Sequence, residues 1–129
     1  MSFTKTVKVE LTDGHLTYLR SACDSMDLVF CQDQKRFNTH EGARTCEHAI
    51  RQIGTHHEIG LVREKSNLNF AVDFYNSPRL KEAVGENFEI LTQRMSTEMA
   101  RQELYDHGAR DVREEWNEAE QTVRLVASY

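Results

Sequence analysis

Proline and glycine are scarce in this chain, and its cysteines follow neither a metal-binding nor a disulfide pattern. Only one of the 129 residues is proline and six are glycine, so no flexible or proline-rich linker divides the sequence. The three cysteines are an odd number without a CxxC pair, which argues against a zinc ribbon or a disulfide scaffold. The length suits one hydrophobic core. We therefore predict a single domain over residues 1–129 with three reduced thiols.

Long hydrophobic runs and an excess of basic residues are also missing. No apolar run approaches the roughly 20 residues that span a bilayer, and the N-terminus leads into a strand-like pattern instead of a signal sequence. The net charge of -5 argues against broad binding to phosphate backbones. Hydrophobic residues make up 39% of the chain, which is enough for a folded protein. These features predict a cytoplasmic protein for which neither a membrane nor nucleic acid is the expected partner.

The sequence patterns of the common enzyme classes do not occur either. There is no GxSxG, P-loop, GxGxxG, HExxH or EF-hand pattern, so the usual hydrolase, nucleotide-binding and calcium-binding mechanisms lack their required geometry. No cofactor is expected on these grounds. The sequence therefore favours a non-enzymatic role.

Hydrophobic periodicity predicts the elements of the first third of the chain. Residues 3–11 alternate between apolar and polar side chains, which is typical of a half-buried strand. The next apolar residues recur at helical spacing as far as about Ser25. Short runs rich in strand formers at residues 27–32 and 35–39 suggest a hairpin. Residues 40–44 show no periodicity and are predicted to form a loop.

The strongest hairpin signal lies in the middle of the chain. Residues 59–63 and 68–74 both alternate, and a short polar segment at residues 65–67 joins them. Because strict alternation places every second side chain on the same face, one face of this hairpin should be buried. The predicted core-facing row consists of Leu68, Phe70, Val72 and Phe74.

Two helices and a second hairpin are predicted for the last part of the chain. Serine followed by proline at residues 77–78 favours a helix start, and Gly85 should end that helix. A long helix is predicted over residues 86–107, and alternation at residues 109–116 and 122–128 predicts two strands. The apolar stripe of the long helix consists of Phe88, Leu91, Met95 and Met99.

This order of elements predicts an α+β fold. The helices are separated from an antiparallel sheet instead of alternating with parallel strands. We expect two helices on one face of the sheet, in the ferredoxin-like arrangement known as a split βαβ unit.

Five short stretches of the chain carry a family resemblance, at residues 2–8, 59–63, 70–74, 91–94 and 123–126. They resemble the family known as hypothetical chloroplast reading frame thirty-five, or domain of unknown function 1257, of cyanobacteria, red-lineage plastids and some phages. Their order and spacing match over most of the chain. The resemblance supports an α+β fold in a cytoplasmic or plastid-like setting and implies no biochemical activity.

The resemblance is that of a divergent member of the family, of the kind that phages encode. The family often continues with tyrosine where this chain has Met95, and tryptophan is common where it has Phe74. Residues 33–45 have no counterpart in the family pattern. The resemblance also favours a strand at residues 45–53, where the apolar spacing alone fits either a helix or a strand.

Four histidines and a cysteine fall within 18 positions and suggest a metal site. The histidines are His40, His48, His56 and His57, and Cys46 lies among them. Imidazole and thiolate are ligands that suit zinc and similar ions. If this stretch is a strand, Cys46 and His48 point to one face, so a Cys46, His48 and His57 site is a hypothesis. The spacing matches no established zinc motif, and histidines bound only to water or protein are the alternative.

A second candidate site combines the long helix with the end of a strand. Gln93 and Arg94 lie on the helix, and Asp73 ends the strand that precedes it. An arginine paired with a carboxylate can orient a ligand's phosphate or carboxylate group. The alternative is a salt bridge that ties the helix to the sheet.

Three functions follow from these patterns. The leading hypothesis is a non-enzymatic accessory or regulatory module that binds a protein partner, because no catalytic constellation was found. The first alternative is a metal- or thiol-dependent enzyme that uses the region of Cys46, His48 and His57. The second is a single-stranded nucleic-acid binder that stacks bases on Phe70 and Phe74.

Overall fold

The computed structural model describes residues 4–75, 77–120 and 122–129, so Phe3, where the first strand was predicted to begin, lies outside the described residues. Nine strands and three α-helices lie within these ranges. The strands are β1 (Lys5–Leu11), β2 (Leu28–Cys31), β3 (Arg36–Thr39), β4 (Gly42–Thr45), β5 (His48–Gln52), β6 (Glu58–Glu64), β7 (Asn67–Val72), β8 (Asp111–Asn117) and β9 (Thr122–Ser128). The helices are α1 (Leu16–Asp24), α2 (Pro78–Val84) and α3 (Glu89–Asp106).

The main sheet has five strands in the order β1-β7-β6-β5-β2, and two further hairpins pair β3 with β4 and β8 with β9. Every pairing is antiparallel. The α+β class is therefore confirmed. The edge strands β1 and β2 run in the same direction, but three strands lie between them. A split βαβ unit has one strand in that position, so the ferredoxin-like arrangement is not confirmed.

The hairpin predicted from residues 27–32 and 35–39 is wrong. In the structure β2 pairs with β5, and β3 pairs with β4, which occupies most of the predicted loop at residues 40–44. Local alternation identifies a strand but not its partner. The partners depend on tertiary burial, because Phe37 of β3 is buried against Ala49 and Ala71 of the main sheet.

One face of the main sheet packs against all three helices. Phe70 of β7 stacks on Phe88 at the start of α3, with ring centroids 4.6 Å apart. Leu91 and Met95 of α3 join the same core, as the stripe predicted. Burial of aliphatic and aromatic side chains here supplies most of the driving force for folding. The fully buried sheet residues of this core are Ile50, Ile59, Leu61, Leu68, Phe70 and Val72.

The β3–β4 hairpin covers the opposite face of the sheet. Phe37 packs there with Cys46, Ala49 and Ala71. A Cβ atom added to Gly60 of β6 would lie 2.3 Å from Cδ1 of Phe37, so only glycine leaves room for this ring. The small residues of the three central strands thus leave a shallow depression that holds the ring of Phe37.

The remaining secondary-structure predictions are largely confirmed. The strand favoured at residues 45–53 is β5, and the β6–β7 hairpin turns through Lys65, which has a left-handed φ of 59°. The α2 helix begins after Ser77, although the Ser77 hydroxyl donates to the Asp73 carbonyl at 3.2 Å instead of capping the helix. Phe74 is only half-buried, unlike the rest of its row.

No helix among the described residues is long and apolar enough to cross a membrane.

Candidate functional site

A groove of about 770 Å³ lies between α3 and β9, and we call it the α3–β9 groove. Three small residues of α3, Ser96, Thr97 and Ala100, line it on the helix side. Val123 and Leu125 form the wall on the strand side. Small residues on a helix leave space beside it, so the groove follows from the sequence of α3. The remaining lining residues are Gln93, Glu103, Leu104, His107, Thr122 and Tyr129.

Alternation along the C-terminal hairpin directs its apolar face toward α3. The register pairs Val112 with Ala127 and Glu114 with Leu125, so these four side chains share one face. Among the described residues of the hairpin, only Val112 is buried. The hairpin therefore covers α3 incompletely and leaves the groove open beside β9.

Arginines of α3 hold the hairpin in place through Glu114. Arg94 donates to both carboxylate oxygens of Glu114 at 2.8 Å and also to Glu98 at 2.8 Å. Arg101 forms a second ion pair with Glu114 and donates to the Val112 carbonyl at 3.1 Å. Charge-assisted bonds of this kind fix orientation as well as distance. The network sets the position of β8 and thereby the width of the groove.

The groove borders an open strand edge. β9 pairs with β8 along one edge, and no other strand among the described residues pairs with its second edge. Tyr129, which follows β9, is 71% exposed. An unpaired edge offers a row of backbone donors and acceptors to another chain.

The side chains of the predicted Asp73, Gln93 and Arg94 site lie in three different surroundings and do not form one site. Gln93 lines the α3–β9 groove, whereas Arg94 is committed to its glutamate partners. Asp73 lies at the end of β7 and accepts hydrogen bonds from the backbone amides of His40 and Tyr75. The expected pairing of Arg94 with Asp73 is therefore wrong, because Arg94 pairs with the carboxylates of Glu98 and Glu114.

The structure also separates Cys46 from His48. The expectation that both point to one face is wrong, since β5 begins only at His48 and Cys46 precedes it outside the strand. Cys46 packs with Phe37 on the face that the β3–β4 hairpin covers. His48 is buried near Phe30 and its Nδ1 accepts a hydrogen bond from the Asp33 amide at 2.9 Å.

Two of the three thiols, those of Cys46 and Cys23, lie in surroundings that raise their pKa. Burial, with a smaller contribution from the charge of Glu58, raises the pKa of Cys46 to about 11. Burial raises the pKa of Cys23 to about 12. A thiol nucleophile needs a lowered pKa at neutral pH, so neither cysteine has the environment of a catalytic thiolate.

His57 lies away from Cys46 and His48, in a small cavity of about 240 Å³ that it shares with Asp73. The cavity also contains Glu58 at the start of β6, together with His40, His56 and Tyr75. Nδ1 of His57 is buried and has no hydrogen-bond partner. The structure thus brings together one residue from each of the two predicted sites.

No three His, Cys, Asp or Glu side chains in the described part of the chain are placed to hold a metal ion.

The aromatic residues of the nucleic-acid hypothesis, Phe70 and Phe74, pack against the core. Phe70 is fully buried, and Phe74 lies against Phe88 with ring centroids 5.9 Å apart. They do not form the exposed stacking surface that single-stranded nucleic acids need.

The chain matches no family model, no curated protein and no solved structure. The groove and the small cavity are therefore assigned on their own geometry.

Sequence reasoning missed the groove and Glu58. The groove depends on how α3 and the C-terminal hairpin pack, which no local pattern specifies. Glu58 could have been found, because the β6–β7 register that pairs Ile59 with Val72 places the preceding glutamate beside Asp73.

Proposed function

We propose that this protein is a non-enzymatic accessory module that binds an extended segment of a protein partner in the α3–β9 groove. The observation that carries the proposal is the unpaired second edge of β9 where it borders an apolar groove. A two-stranded hairpin is only marginally stable by itself, and addition of a third strand would complete it.

Backbone pairing would supply the affinity of such a complex. A peptide that adds to a sheet edge gains a row of main-chain hydrogen bonds, and its alternate side chains enter pockets on one face. Val123 and Leu125 of β9 point into the groove, so every second side chain of an added strand would point the same way. The small side chains of Ser96 and Ala100 leave the space that these side chains need.

The charge of the groove indicates the chemistry of the segment. Glu103 lines the groove, and no lysine or arginine belongs to its lining. The chain as a whole has a net charge of -5. A segment that alternates apolar residues with lysine or arginine would match both features, because charge complementarity favours the correct partner and speeds encounter.

Two broader proposals accompany this function. Membership in the hypothetical chloroplast reading frame thirty-five family is supported by the short matching stretches and their order. A cytoplasmic setting is supported by the acidic charge and the three free cysteines.

Binding of a defined peptide tests the proposal. The probe is the synthetic heptapeptide Lys-Val-Lys-Val-Lys-Val-Lys, and its acidic counterpart with glutamate for lysine serves as the charge control. We expect the basic peptide to bind with slower amide exchange along β9, and the acidic peptide to bind at least 10-fold more weakly. Failure of the basic peptide to protect the β9 amides would overturn the proposed mode.

A matched pair of variants locates the binding. Ala100→Arg places a long side chain in the groove, whereas Gln102→Arg adds the same charge on the exposed side of α3. We expect Ala100→Arg to abolish binding and Gln102→Arg to leave it within about twofold. Equal effects of the two variants would show that the peptide does not occupy the groove.

A further inference from the structure

The small cavity beside β6 and β7 contains two buried carboxylates. Glu58 is 8% exposed and Asp73 is 9% exposed. Glu58 directly precedes Ile59, and Asp73 directly follows Val72, the residue that pairs with Ile59. Both line the cavity of about 240 Å³.

Neither carboxylate has a cationic partner within the described residues. The ion pairs among the described residues involve other acidic groups, and none of them joins a side-chain nitrogen of lysine, arginine or histidine to Glu58 or Asp73. Removing a carboxylate from water costs several kcal/mol, so buried carboxylates are normally paired with a cation. Two adjacent ones without a cation make the cavity strongly attractive to positive charge.

The hydrogen bonds that these carboxylates do make leave room for a ligand. Glu58 accepts from the Asn38 amide at 2.8 Å and from Nε2 of Gln34 at 2.7 Å, and Asp73 accepts from the amides of His40 and Tyr75 at 3.1 and 2.9 Å. Each oxygen thus accepts one bond and has a further lone pair. These bonds attach the β3–β4 hairpin to the sheet and fix the carboxylates in place.

Two further features point to a ligand in the cavity. Nδ1 of His57 is buried without a hydrogen-bond partner, although the residue lines the cavity. The rings of His40 and Tyr75 lie 4.1 Å apart and form an aromatic wall. Aromatic faces attract organic cations. The cavity therefore combines carboxylate acceptors, an imidazole with an unpartnered nitrogen and an aromatic surface.

We propose that this cavity binds an organic cation, a primary ammonium or guanidinium group. Its planar or compact head would donate hydrogen bonds to Glu58 and Asp73 and rest against the ring of Tyr75. A metal ion fits less well, since no three of the metal-binding side chains in the described residues converge on one point. The volume holds a head group but is smaller than a typical small-molecule pocket, so the rest of the ligand stays outside.

The same head group can come from a free amine or from a lysine or arginine side chain of another protein. Methylguanidinium and butylammonium represent the first source. Acetyl-Gly-Arg-Gly-amide and its lysine counterpart represent the second. Saturable binding of any of them, with shifted NMR signals of His57 and Tyr75, supports the proposal. At least 10-fold tighter binding of a peptide identifies the side chain of a protein as the ligand, whereas equal binding identifies the free amine.

Three variants separate ligand binding from a structural role. Asp73→Asn removes the charge and keeps one of the two acceptor oxygens, and Tyr75→Leu removes one ring of the aromatic wall while retaining the backbone amide. We expect each to weaken binding at least 10-fold in protein that remains folded by its NMR spectrum. Glu41→Gln removes the same charge from an exposed residue of the adjacent β3–β4 turn and should change binding less than twofold.

Several results would overturn the inference. One is the absence of saturable binding of all four probes to the wild-type chain. Another is unchanged affinity in Asp73→Asn and Tyr75→Leu, which would leave only the attachment of the hairpin as their role. A third is an equal loss in Glu41→Gln, which would show general attraction by an acidic surface.

Discussion

The main sheet and the C-terminal hairpin are both antiparallel, but they differ in how they are covered. In the main sheet, helices cover one face and the β3–β4 hairpin covers the other, so Leu61, Phe70 and Val72 are completely buried. Among the described residues of the C-terminal hairpin, only Val112 is buried, and Trp116 is 56% exposed. The hairpin is attached to α3 chiefly through the ion pairs of Glu114.

This difference assigns stability and binding to separate regions. Elements with many buried contacts open only with the whole molecule, whereas elements with few such contacts open locally at low cost. A region of the second kind can accept a new strand without disturbing the core. The four experiments below measure how far the two regions are independent, beginning with the largest expected effect.

Removal of a core aromatic should distinguish the regions most clearly. Phe70→Ala deletes a ring that is fully buried against Phe88, and such truncations cost about 3–5 kcal/mol. Trp116→Ala deletes a larger ring from an exposed position and should cost less than about 1 kcal/mol. Denaturant titration gives both free energies of unfolding. Similar losses in the two variants would contradict the division into regions.

The second face of the sheet should tolerate no added atom at Gly60. Gly60→Ala would push a methyl group into the ring of Phe37, and overpacking of this kind costs about 1–3 kcal/mol. Phe37→Leu should relieve part of the loss in the double variant, because the two residues are in contact. Gly14→Ala is the control, since its new methyl would lie 3.6 Å from the nearest side-chain atom. Strict additivity of the two substitutions would exclude the contact.

High pH should weaken the core through its buried thiol. The pKa of Cys23 rises from 9.0 to about 12 on folding because of burial. The unfolded chain therefore loses this proton above pH 9 while the folded chain retains it, so the stabilisation is complete below pH 9 and declines toward pH 12. At pH 10 the decline from this group is about 1.4 kcal/mol. The Cys23→Ala variant should be less stable than the wild type at pH 8. Between pH 8 and pH 10, however, its free energy of unfolding should fall by about 1.4 kcal/mol less than that of the wild type. An equal fall in the two proteins would contradict the prediction.

Loss of the ion pairs that attach the hairpin to α3 should have the smallest effect of the four changes on the free energy of unfolding. Glu114→Gln removes the charge that holds Arg94 and Arg101, and we expect a loss below about 1 kcal/mol because the pairs are partly exposed. Amide exchange should accelerate in β8 and β9 and stay unchanged in β6 and β7. Glu115→Gln, on the opposite face of the hairpin, is the control. Faster exchange throughout the main sheet would show that the two regions unfold together.

The sequence was most informative where local pattern and burial coincide. The alternation of residues 68–74 and the stripe of α3 are periodic, and both predict the buried residues correctly apart from the half-buried Phe74 and Met99. The pairing of β2 and β3 was not predictable in this way, because every short apolar strand has the same period. Their partners depend on which strand can place Phe37 over Gly60, a contact between residues 23 positions apart.

The candidate sites were less predictable than the fold, for a related reason. Histidine and cysteine spacing suggested a grouping of Cys46 with His48, but the start of β5 places these residues on opposite faces. Asp73 and His57 were both identified as candidates, yet they were assigned to different sites. Their shared cavity arises from the turn before β6 and the end of β7, which only the sheet register brings together.

The position of β1 at the edge of the sheet also matters during synthesis of the chain. β1 leaves the ribosome well before β7, with which it pairs, and the bond from the Val9 amide to Asn69 joins residues 60 positions apart. At typical translation rates that interval is roughly 3–12 seconds. Throughout it, the apolar side chains of β1 have no sheet to cover them and are open to chaperones or to neighbouring chains. The nascent β1 is therefore vulnerable to these contacts until completion of β7 ends that exposure.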